Sequence, residues 1–81
     1  MTRLMVRAYV DGALRWSERV EVADDLAGLE ELAEAQINRL IDEPRHMLEI
    51  EFLDEPNLNQ RFLRFGTDPA RMVEPLAIKL P

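Results

Sequence analysis

Between Asp24 and Asp42 the apolar residues recur at helical spacing, whereas on either side of that stretch they alternate with polar ones. Leu26, Leu29, Ala33, Ile37 and Leu40 stand at i, i+3, i+7, i+11 and i+14, which is one face of a 3.6-residue period. Leu32, Gln36 and Ile41 border that stripe, and Glu31, Glu34, Asn38 and Asp42 fall on the opposite, solvent side. Asp24 or Asp25 can accept from the first free backbone N–H groups, and the negative charge suits the positive end of the helix dipole. Pro44 disfavours helix at Glu43, so the spacing predicts one long helix over Asp24–Asp42. Burying the large residues of the stripe contributes roughly 6–12 kcal/mol gross. That is comparable to the net stability of a whole small domain, so docking of this helix is expected to decide whether the chain folds.

The flanking stretches read as strands. Arg3–Val10 places Leu4, Val6, Ala8 and Val10 on one face and Arg3, Met5, Arg7 and Tyr9 on the other. Asp11-Gly12 is a two-residue hairpin signal, because a type I′ turn needs positive φ at both positions. Ala13–Val22 follows, with Leu14, Trp16, Val20 and Val22 inward. Glu18 falls on the inward side and breaks the pattern, which a bulge or an edge position near Ser17–Glu18 would resolve. After the helix, His46–Asp54 points Leu48, Ile50 and Phe52 one way and Met47, Glu49, Glu51 and Leu53 the other. Glu55–Gln60 has the Pro and Asn of a turn. Arg61–Thr67 turns Leu63 and Phe65 in and Phe62 and Arg64 out. Thr67-Asp68-Pro69 has the form of a helix start, so a short helical turn through Val73 is expected. Leu76, Ile78 and Leu80 then alternate as a possible edge strand.

The expected fold class is therefore α+β. Residues 1–81 form one domain of ββαββ order, with one helix on one face of a four-stranded sheet. The element order is similar to that of the ubiquitin-like β-grasp fold. That resemblance implies a mixed sheet with the first and fourth strands side by side and parallel. It rests on element order alone and carries no site residue with it. A wholly antiparallel sheet uses the same elements and stays open as the alternative.

Charge changes this picture more than composition does. The net charge is −6, which argues against duplex nucleic acid, since phosphate neutralisation needs a basic footprint. It is unevenly spread: residues 1–22 hold four Arg against three acids, residues 23–55 two Arg against eleven, and residues 56–81 four Lys or Arg against two. There is no cysteine, so no disulfide or thiolate–metal staple exists and packing must hold the fold. No apolar run approaches the ~18 residues of a membrane span, and the expected location is the cytoplasm.

Catalytic chemistry has little to build on. His46 is the only histidine, and at the start of a strand it reads as exposed or backbone-bonded. With no Cys and one His, neither a zinc site nor another metal or cofactor is expected. Asp24-Asp25, Glu30-Glu31 and Asp42-Glu43 are sequence neighbours, which diverge by about 100° on a helix and cannot converge on one atom. Gly12, Gly28 and Gly66 make no phosphate-binding pattern, and Ser17 is the only serine. A catalytic or small-ligand site, if present, would lie near Arg64, Thr67, Asp68 and Arg71.

The most informative surface is the sheet face away from the helix. It is expected to show Met5, Arg7, Tyr9, Phe62 and Arg64, with Met47, Glu49, Glu51 and Leu53 between and Arg15 and Arg19 beside. Methionine, aromatic and arginine residues together are the composition of protein interfaces. The expectation is a non-enzymatic interaction or assembly module, its partner another protein or a second copy of the chain in a homodimer. Arg61–Gly66 also resembles the basic-aromatic strand of RNA-recognition sheets, which keeps single-stranded nucleic acid as a lesser expectation.

Overall fold

The computed structural model describes residues 1–67. Six elements follow in order: β1 (Thr2–Val10), β2 (Ala13–Val22), α1 (Leu26–Asn38), β3 (His46–Phe52), α2 (Leu58–Arg61) and β4 (Phe62–Gly66). The strands make one four-stranded sheet of order β2-β1-β3-β4. Every neighbouring pair is antiparallel. Of the two sheets that ββαββ allows, the antiparallel one is found, and the grasp-like placement of the first strand beside the fourth is not. β2 and β3 both run antiparallel to β1, so α1 carries the chain over β1 between two strands that are parallel to each other but not adjacent, and the crossover rule acts on that connection and not on β1 and β4. The expected helical turn at Asp68–Val73 and the edge strand at Leu76–Leu80 lie outside the described residues.

Strand alternation sets the core. Leu4, Val6, Ala8 and Val10 of β1 and Leu48 and Ile50 of β3 are buried on one face. Leu29, Leu32, Ala33 and Ile37 of α1 pack against them. The β1–β2 turn has Asp11 at φ 52° and Gly12 at φ 80°, the two positive values a type I′ turn requires. Asp25 caps α1, its side chain accepting from Gly28 N at 2.7 Å.

Three local expectations are corrected. α1 is shorter than Asp24–Asp42: it stops at Asn38, where Arg39 N and Leu40 N bond to Gln36 O and Ile37 O at 3.1 and 2.8 Å. These three-residue bonds tighten the end of the helix and still bring Leu40 into the core. Leu26 is 68% exposed, so the buried stripe begins one turn later, at Leu29. Leu14 is also exposed, because the β1–β2 register shifts between Ala8 and Tyr9. Trp16 faces Ala8 and Leu14 faces Tyr9, so Arg15 is the extra residue of a bulge, which moves Leu14 to the outer face.

That bulge is not at Ser17–Glu18, and Glu18 stays on the helix side opposite Val6. The edge position of β2 is what accommodates it. Gln36 Nε2 donates to Glu18 Oε1 at 2.8 Å, and Gln36 Oε1 accepts from Trp16 Nε1 at 3.1 Å. Arg39 lies 4.0 Å above the Trp16 ring and donates to the same Gln36 oxygen at 3.3 Å. Buried Gln36 thus fastens α1 to β2 with both ends of its amide satisfied. At the β4 edge of the helix-covered face α1 covers less, and Leu63 and Phe65 are each 37% exposed.

Candidate interaction face

The register of β1, β3 and β4 arranges the outer face in three successive rungs. Met5, Glu51 and Phe62 form the first, Arg7, Glu49 and Arg64 the second, and Tyr9, Met47 and Gly66 the third. All five residues expected to carry the interaction (Met5, Arg7, Tyr9, Phe62 and Arg64) therefore sit on one face within three rungs. Met5, Arg7, Tyr9 and Phe62 are half-buried, and the side chain of Arg64 is nearly enclosed.

The middle of the face differs from the expected wet surface. Glu49 is only 1% exposed, and Met47 and Glu51 are buried with it. A carboxylate leaves water only when its charge and lone pairs are matched, and here both are. Glu49 Oε1 accepts from Arg7 Nη1 at 3.1 Å, and Glu49 Oε2 accepts from Arg64 Nε at 3.0 Å. Arg7 Nη1 also lies 2.9 Å from Glu51 Oε1, and Arg61 Nε donates to Glu51 Oε2 at 2.7 Å. The result is one chain of alternating charge, Arg64–Glu49–Arg7–Glu51–Arg61, with three cations and two anions.

Arg61 enters it from α2, an element that interrupts the stretch expected to be simple turn. Asn57 caps that turn, accepting from Asn59 N at 2.9 Å, and Arg61 Nη1 donates to Glu55 O at 3.1 Å. Burial works against the charge on Glu51, but the hydrogen bonds and charges of Arg61 and Arg7 outweigh it and hold the carboxyl below the usual glutamate range. Burial likewise opposes the Arg7 guanidinium, and Glu51 and Glu49 overcome it, raising its pKa.

Arg64 is the most enclosed cation, its side chain 6% exposed and its guanidinium 5.0 Å from the Phe62 ring centroid. Its Nη2 is 2.9 Å from Glu49 Oε2 yet makes no aligned hydrogen bond. Thr67, expected as a helix cap, donates its hydroxyl to Pro44 O at 2.9 Å. His46 is buried, its Nδ1 2.7 Å from Glu43 O, so that nitrogen carries the proton and serves the backbone.

The alternative site near Arg64, Asp68 and Arg71 gains no geometry: Arg64 is committed to Glu49, and Asp68 and Arg71 lie outside the described residues. Two clefts found among the described residues lie elsewhere, at the end of the sheet where α1 begins, and neither is lined by Arg64. Among the described residues no three His, Cys, Asp or Glu side chains group as metal ligands, and no helix is long and apolar enough to cross a membrane. The sequence reading placed the five face residues but missed the closure of Glu49 and Glu51. The signal that carries it is an outward arginine on each flanking strand, Arg7 and Arg64, beside the alternating Glu49-x-Glu51, with Arg61 three residues before Arg64.

Comparison with family models, with curated proteins and with solved structures gives no match. The functional reading therefore rests on this geometry.

Proposed function

We propose that the domain is a non-enzymatic interaction module whose contact surface is the outer sheet face, with a second copy of the chain as the first partner to test. One observation carries this: three rungs of the sheet hold Met5, Tyr9 and Phe62 around arginines already fixed in place by Glu49 and Glu51. An arginine held by its own carboxylate loses less freedom on association, and half-exposed aromatic and methionine side chains supply the apolar contact. Phe62 is the anchor in this reading, Arg7 forms its polar surround, and Arg64, enclosed against Glu49, supports the Phe62 ring from below. Arg7, Arg61 and Arg64 each pair with Glu49 or Glu51, which favours a protein surface over a phosphate backbone.

The test is solution mass by light scattering at low and high salt, for the wild type, Phe62→Ser and Tyr9→Ser, with circular dichroism to check the fold. A dimer that persists in high salt and is lost in both variants supports the reading. A dimer unaffected by either substitution, or a wild type that stays monomeric over the whole concentration range, removes self-association through this face.

A further inference from the structure

At the end of the molecule where α1 starts, the layer between helix and sheet stands open. A cleft of about 460 Å³ is floored there by Val22, Leu26, Leu29 and Phe52, and a second of about 330 Å³ adjoins it, sharing Thr2 and Phe52. The larger lies within the ~300–1,000 Å³ of ordinary ligand clefts. Val22, Leu29 and Phe52 are the incompletely covered margin of the core, and Leu26 stands 68% exposed beside them. The rim is acidic: Asp24 and Asp25 line the first cleft, Asp54 and Glu55 the second.

Cations of the chain itself settle on that rim. The Met1 ammonium lies 3.0 Å from Asp24 Oδ2, and Arg3 pairs with Asp54. Both pairs are solvent-exposed and therefore exchangeable. Both carboxyls are held below the usual aspartate range, Asp24 by its bonds from Thr2 and the ammonium and Asp54 by its bond from Arg3. Arg61, whose Nη1 bonds to Glu55 O at 3.1 Å, stands beside the second cleft, so four carboxylates face three cations and the rim keeps one negative charge in excess.

From the apolar floor and this charge complementarity we infer that the groove is a docking site for a basic, aliphatic peptide segment of a partner protein. A leucine-like side chain would cover Val22, Leu26 and Phe52 while flanking lysines meet Asp25 and Glu55. This surface is separate from the outer sheet face, and neither reading depends on the other.

The experiment is amide NMR titration of the full chain with acetyl-Leu-Lys-Leu-Lys-Leu-amide and, as the charge-reversed control, acetyl-Leu-Glu-Leu-Glu-Leu-amide. Saturable shifts at Val22, Leu26, Gly28, Leu29 and Phe52 are expected with the lysine peptide, and binding of the glutamate peptide at least about ten-fold weaker. Leu26→Gln alters an exposed side chain, so its spectrum should stay folded while affinity for the lysine peptide falls about five- to ten-fold. Glu55→Gln should weaken it about two- to five-fold. Equal binding of the two peptides, shifts confined to Tyr9 and Phe62, or no saturable shift would each overturn the inference.

Discussion

Glu49 shows how much one residue can hold. Its two oxygens are taken by arginines from different strands, Arg7 of β1 and Arg64 of β4. Glu49→Gln keeps the shape and removes the charge, leaving Arg64 enclosed beside a neutral amide. Breaking a buried pair from one side costs about 3 kcal/mol, and that loss should appear as a lower urea midpoint with unchanged slope. Asp54→Asn, which removes the exposed partner of Arg3, should leave the midpoint within error. Glu51 adds a pH dependence whose sign is fixed. Its folded carboxyl titrates below the ordinary value of about 4.3. The stabilisation is therefore complete above that value and is lost as pH falls through the folded one. Glu51→Gln should lower stability at neutral pH and flatten the acid limb of the stability curve, as read by urea melts between pH 7 and pH 3.

At the scale of elements, the junction of β4 with the start of β3 is the tightest point. Gly66 has φ 141°, and a Cβ there would stand 2.3 Å from His46 O. Thr67 N bonds to that same oxygen at 2.9 Å. Gly66→Ala has to move the backbone of one strand or the other, at a cost on the order of 1–3 kcal/mol, measurable by thermal melting. Most elements are legible in the sequence itself: the alternation in β1 and the Asp11-Gly12 turn need only local information. What was illegible depended on register. Leu14 reads as inward because nothing local announces that Arg15 bulges. Glu49 and Glu51 read as wet because alternation alone assigns acids to solvent. Their burial follows only once Arg7, Arg61 and Arg64 are known to converge on them. Gln36 looked like the border of a stripe, and its role needed Trp16 and Glu18 to be brought beneath it.

For the molecule as a whole, the charge ladder bears on how the sheet avoids assembling wrongly. Alternation of apolar and polar residues forbids a strand from slipping by one position, since every side chain would change faces. It is blind to a slip of two, which restores inside and outside alike. In the native pairing Glu49 faces Arg7 on one side and Arg64 on the other. A two-residue slip against β1 would set it opposite Met5 or Tyr9, and one against β4 opposite Phe62 or Gly66. The hydrophobic pattern thus rejects odd misalignments, and the arginine–glutamate chain disfavours even ones: a slip that brings Glu51 opposite Arg7 or Arg64 leaves the buried Glu49 one arginine short.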